Sequence, residues 1–158
     1  MITAERLAME RGAPCYLSFE TALAYHDVID DCIYKTSCAT LRDDFELKTE
    51  LGILEFVRID EDNFFGYNKV KDALGKEILM AEPEKALLDW IWLCEDRGYQ
   101  IQLDEINWKN LSRAKLDEYS ERMRLNYKEY MPSPGKLRRF AHPKYKLIAR
   151  ELEGWLST

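Results

Sequence analysis

The chain has 158 residues, 46% hydrophobic and 33% charged, with a formal net charge of −6 and an isoelectric point near 5.1. That length fits one domain, and the apolar content is ample for a core. The acid excess argues against a domain devoted to gripping nucleic-acid backbone, and the longest apolar run, Trp90–Cys94, is too short to cross a bilayer.

The start of the chain is charged and carries no secretory leader pattern, which predicts a cytoplasmic protein without membrane contact. Four cysteines (Cys15, Cys32, Cys38, Cys94) lack Cys-x-x-Cys spacing, and His26 and His142 are the only histidines. No metal site or cofactor is expected, and the thiols read as small buried side chains in a reducing compartment. Charge is unevenly spread. Lys136, Arg138, Arg139, Lys144, Lys146 and Arg150 make the segment Lys136–Arg150 +6 with no acid, so the remainder carries −12.

In chain order, residues 1–14 read as a short N-terminal helix or tail, with Thr3 as N-cap and Gly12 as the stop. Ser18 is placed to cap a helix running to about Tyr25. Strand composition follows over Ile33–Thr40, Phe45–Thr49 and Ile53–Ile59, with Leu51-Gly52 as a hairpin turn. Asp60–Asn63 is a turn cluster, and Asn68–Met80 reads as a second hairpin turning at Leu74-Gly75-Lys76. Gly98 ends the central helix, Asp104 can open a short helix, and Ser112 can cap a helix over Arg113–Met123. Met131-Pro132-Ser133-Pro134-Gly135 breaks the chain before a basic amphipathic helix within residues 132–158. These elements predict an α+β fold: a small antiparallel sheet packed by a central apolar helix, followed by a helical C-terminal part.

The central helix is the most informative segment. Pro83 suits the first helical position, and Glu82 and Glu84 complement the positive end of the helix dipole. From Ala86 to Cys94 the only polar side chain is Asp89, so the helix belongs inside the domain. Lys85 lies one turn before Asp89, within pairing reach. A buried charge needs a partner, which makes the pair either structural glue or part of a site.

Three segments together resemble a known family. Tyr16-Leu17-Ser18-Phe19-Glu20-Thr21-Ala22-Leu23, Asn63-Phe64-Phe65-Gly66-Tyr67 and Ala81-Glu82-Pro83-Glu84-Lys85-Ala86-Leu87-Leu88-Asp89 occur in the order found in the C-terminal domain of AbiEi-type antitoxins. Leu111, Leu116, Tyr119 and Met123 are similar to that family's closing helices, so the resemblance covers about Cys15 to Met123 within a domain of residues 15–131. It implies a non-catalytic antitoxin that counteracts a nucleotidyltransferase-fold toxin of a type IV toxin–antitoxin, abortive-infection (phage defence) system. Family members begin with a winged helix-turn-helix that serves transcriptional regulation. Only Met1–Pro14 precede the matching region here, so direct DNA binding is not carried over.

The resemblance makes Ser18, Gly66, Pro83, Glu84, Lys85 and Asp89 motif residues. The aromatics Phe64, Phe65 and Tyr67 read either as core payload or as a partner-binding patch. Arg138, Arg139, Lys144 and Lys146 read as a solvated basic face, as a contact for an acidic partner or RNA, or as a tail docked on the acidic remainder. The expected contact surface joins these two groups. Two other readings stand beside the antitoxin. One is a transcriptional autoregulator fragment whose DNA-binding domain is missing. The other is a divalent-metal nuclease built on Asp44, Glu46 and Lys48, although no catalytic constellation with named roles assembles from the sequence.

Overall fold

The computed structural model describes residues 1–31 and 33–158. The α+β expectation holds. Strands β1 (Cys15–Leu17), β2 (Lys35–Thr40), β3 (Phe45–Thr49), β4 (Gly52–Arg58), β5 (Tyr67–Lys71) and β6 (Glu77–Ala81) form one six-stranded sheet in the order β3-β4-β2-β1-β6-β5. The helices are α1 (Ala4–Gly12), α2 (Phe19–Tyr25), α3 (Pro83–Arg97), α4 (Arg113–Met123), α5 (Pro134–Arg138) and α6 (Lys144–Leu156).

The sheet is larger than expected, and it is mixed rather than antiparallel. Both hairpins, β3–β4 and β5–β6, are antiparallel, as their turn residues indicate. At the centre, however, β2 runs parallel to β4 and β1 runs parallel to β6. Those pairs join strands that are not consecutive in the chain, so no turn signal between neighbours could reveal them.

Side-chain alternation along β1 divides the core. Cys15 faces α1, its thiol donating to the Ala8 carbonyl at 3.6 Å, while Tyr16 points the other way, toward α3. Helix α1 lies close against the sheet. Thr3 caps it by accepting the Arg6 amide at 3.1 Å, and Gly12 ends it for a packing reason. A Cβ on Gly12 would stand 2.1 Å from the Phe56 ring. The N-terminal segment is therefore part of the core.

Helix α3 begins with Pro83 in its first turn and ends at Gly98, whose φ of +69° supplies the left-handed stop. Its side chains from Ala86 to Asp89 are all buried, as its composition demands. Ser112 caps α4 as expected, accepting the Lys115 amide at 3.3 Å. Asp104 opens no helix; the chain instead makes a 3-10 turn at Trp108–Asn110. Nor is residues 132–158 one helix: α5 and α6 are separated, with Pro143 at the N-cap of α6, where its ring can no longer interrupt a helical interior. Helix α6 buries Ile148, Ala149, Leu152 and Trp155, and the Trp155 indole donates to the Leu111 carbonyl at 2.9 Å.

Candidate functional site

The site grows from two short pieces of chain. On β1 and its extension, Tyr16 and Ser18 are two residues apart and so share a face. On α3, Lys85 and Asp89 are one turn apart and share another. The fold presses these faces together. The Asp89 Oδ2 accepts the Tyr16 hydroxyl at 2.8 Å and the Ser18 hydroxyl at 2.7 Å, while Lys85 Nζ pairs with Asp89 Oδ1. Lys85 also donates to the Tyr16 hydroxyl oxygen at 2.9 Å, closing a ring of three side chains to which Ser18 is joined through Asp89. Lys85 is 0% exposed and Asp89 1%.

Ser18 corrects one expectation. It stands at the N-cap position of α2 but makes no side-chain capping bond, because its hydroxyl is committed to Asp89. The next residue, Phe19, sits at φ +55°, an uncommon conformation for a bulky side chain, held in place by near-complete burial.

The aromatic turn closes the cluster from outside. Tyr67 stacks on Tyr16 with ring centroids 4.8 Å apart, and Phe64 meets Tyr16 edge-on at 5.1 Å. Phe65 lies over the Lys85 ammonium at 4.8 Å, and the Arg122 guanidinium covers Phe65 at 3.7 Å. Gly66 is required here twice over. Its φ is +77°, and a Cβ would come within 2.9 Å of Lys85 Cγ. Its carbonyl accepts the Glu82 amide at 2.8 Å, tying the turn to the start of α3.

Burial sets the electrostatics. It pushes the Tyr16 phenol well above its ordinary range, with the Asp89 charge adding to the effect. Burial likewise draws the Lys85 ammonium below the usual lysine value, against the opposing pull of Asp89. At the start of α3 the buried Glu84 accepts the Ser112 amide at 2.8 Å, and the half-buried Glu82 accepts Lys115 at 2.5 Å and the Tyr119 hydroxyl at 2.7 Å. Burial pushes the Glu82 carboxyl up, but these two donors hold it below the usual carboxylate range. Glu82 and the motif residue Glu84 thus anchor the start of α3 to α4, with Pro83 between them in the first turn.

The structure brings Ser18, Gly66, Lys85 and Asp89 into one contact network, with the aromatics packed around it. The basic residues do not join them. Arg138 pairs with Glu153 of α6, and Lys144 pairs with Glu105 at 2.5 Å. Tyr145 donates to the same Glu105 at 2.8 Å, so the basic tail docks within the molecule. Arg139 and Lys146 are exposed and make no ion pair among the described residues. No hydrogen bond, ion pair or ring contact among the described residues joins Phe64, Phe65 or Tyr67 to Arg138, Arg139, Lys144 or Lys146, and Phe65 is buried.

Asp44, Glu46 and Lys48 lie on or beside the edge strand β3. Asp44 accepts the Arg58 amide at 2.5 Å, and Glu46 pairs with Lys35 at 3.5 Å. Among the described residues, no group of three His, Cys, Asp or Glu side chains is placed to hold a metal ion. Cys15, Cys38 and Cys94 are free and buried, and Cys32 lies outside the described residues. No helix is long and apolar enough to cross a membrane among the described residues.

Sequence reasoning missed Tyr16, Arg122 and the Glu82–Lys115–Tyr119 group. For Tyr16 a signal existed, since it sits two residues before Ser18 on a strand and must share its face. Arg122 has no such signal, because its contact depends on how α4 crosses the turn. The chain matches no known protein-family model and no curated protein.

Proposed function

We propose that this chain is an antitoxin-type, non-catalytic protein that counteracts a nucleotidyltransferase-like toxin of a type IV toxin–antitoxin system. The observation that carries this reading is the convergence of its three motifs. Ser18, Gly66, Lys85 and Asp89 come from segments far apart in the chain, yet they meet in one buried cluster. Three short matches arising by chance have no reason to meet in space. Their meeting supports a shared domain plan, as the resemblance to AbiEi-type antitoxin domains implies.

The cluster is sealed, so it presents neither a base nor a nucleophile to a substrate; its role is to hold β1, the aromatic turn and α3 in register. Work on a partner then falls to the surface, where Arg139 and Lys146 keep uncommitted charge. The test is co-expression with a nucleotidyltransferase-fold toxin of a type IV system. Restored growth is the expected outcome, and a soluble, folded protein that leaves toxicity unchanged overturns the reading.

A further inference from the structure

We propose that the acidic cleft between α2, α3 and α6 docks a cationic, amphipathic peptide segment of a partner protein. The cleft encloses about 680 Å³, and none of Tyr16, Lys85 and Asp89 lines it. The inference does not depend on the antitoxin reading.

Six carboxylates line the cleft against two ammonium groups. Both ammonium groups are already used: Lys144 pairs with Glu105, and Lys109 pairs with Glu151 at 3.4 Å. That leaves Glu20, Asp30, Asp31 and Asp104 without a cationic partner among the described residues. They come from α2, the segment after it and the segment after α3, so their charge is spread along the cleft. They do not converge on one point as metal ligands would, and no such ligand group is found among the described residues.

The floor is apolar and incompletely covered. Ile29 and Trp90 are only partly buried, and Leu147 on α6 is 56% exposed. A Leu and a Trp left open beside unpaired carboxylates complement a segment that carries lysine or arginine around an apolar anchor. The cations would meet the rim, and the anchor would cover Trp90 and Leu147. An extended or helical segment can carry both the cations and the anchor.

The probe is a synthetic heptapeptide alternating lysine or arginine with leucine, titrated into the full chain by calorimetry and tryptophan fluorescence. Its controls are a counterpart with every cation replaced by glutamine, and spermine. The cationic peptide should bind saturably, perturb tryptophan emission and weaken as salt rises. Asp31→Asn/Asp104→Asn should weaken it roughly fivefold, with the melting temperature unchanged because both side chains sit on the rim. Leu147→Ser should weaken it as well, with less effect on its salt dependence. Absence of binding, equal binding of the glutamine peptide, or undiminished binding to the Asp31→Asn/Asp104→Asn variant would overturn the proposal. Displacement by spermine at equal concentration would overturn it in favour of a polyamine site.

Discussion

Replacing Lys85 with methionine removes one partner of a pair that has no access to water. Asp89 then keeps only two neutral donors, the Tyr16 and Ser18 hydroxyls, against the full cost of burying its charge. Breaking such a pair costs about 3–5 kcal/mol. A domain of this size holds roughly 5–15 kcal/mol in total, so Lys85→Met should still fold, with a melting temperature lower by about 6–20 °C. Lys85→Met/Asp89→Leu removes both charges and restores apolar packing. It should cost less than the two single changes together, with a coupling of at least about 2 kcal/mol. Urea denaturation followed by circular dichroism on the wild type, Lys85→Met, Asp89→Leu and the double variant gives the complete cycle. Additive effects, or a Lys85→Met cost below about 1 kcal/mol, would refute the buried-pair argument.

Three further predictions rest on neighbouring features. Gly66→Ala should destabilise by about 2–4 kcal/mol in the same urea assay, because it adds left-handed strain and a clash with Lys85. Trp155→Ala should cost about 3–5 kcal/mol, since it empties a buried site and orphans the Leu111 carbonyl. Stability should fall as pH rises above about 10.5, by about 1.4 kcal/mol per pH unit for each buried tyrosine. The sign follows from the phenols: Tyr16 and Tyr127 are raised in the folded state, chiefly by burial, so only the unfolded chain releases those protons near pH 10. Lys85, lowered by burial, adds stability up to its unfolded value near 10.5 and none beyond. Urea midpoints that stay flat across alkaline pH would contradict this.

Local chemistry in the sequence was largely legible. The Leu51-Gly52 and Leu74-Gly75 turns, the Pro83 start, the Gly98 stop and the Ser112 cap all act as their residue types indicate. The Lys85–Asp89 pair was legible too, because an isolated acid in an apolar helix must find a partner. What stayed hidden is non-local. The parallel pairings at the sheet centre follow from which distant strands meet, not from any turn. Ser18 looked like a cap, and only the approach of α3 reveals that its hydroxyl turns to Asp89. The basic run read equally as a solvated face, a partner contact or a docked tail, and choosing among them needed the positions of Glu153 and Glu105, which pair with Arg138 and Lys144 and which the sequence does not disclose.

In the proposed function, the motif residues hold the domain together while surface charge does the work on a partner. Colony survival decides between them when a nucleotidyltransferase-fold toxin of a type IV system is induced beside three forms of this chain, each first shown to be folded. Rescue is expected from the wild type and from Lys85→Met/Asp89→Leu, and loss of rescue from Arg139→Glu/Lys146→Glu. Rescue by the surface variant together with failure of the folded Lys85→Met/Asp89→Leu protein would contradict it, and would place the working chemistry in the buried cluster itself.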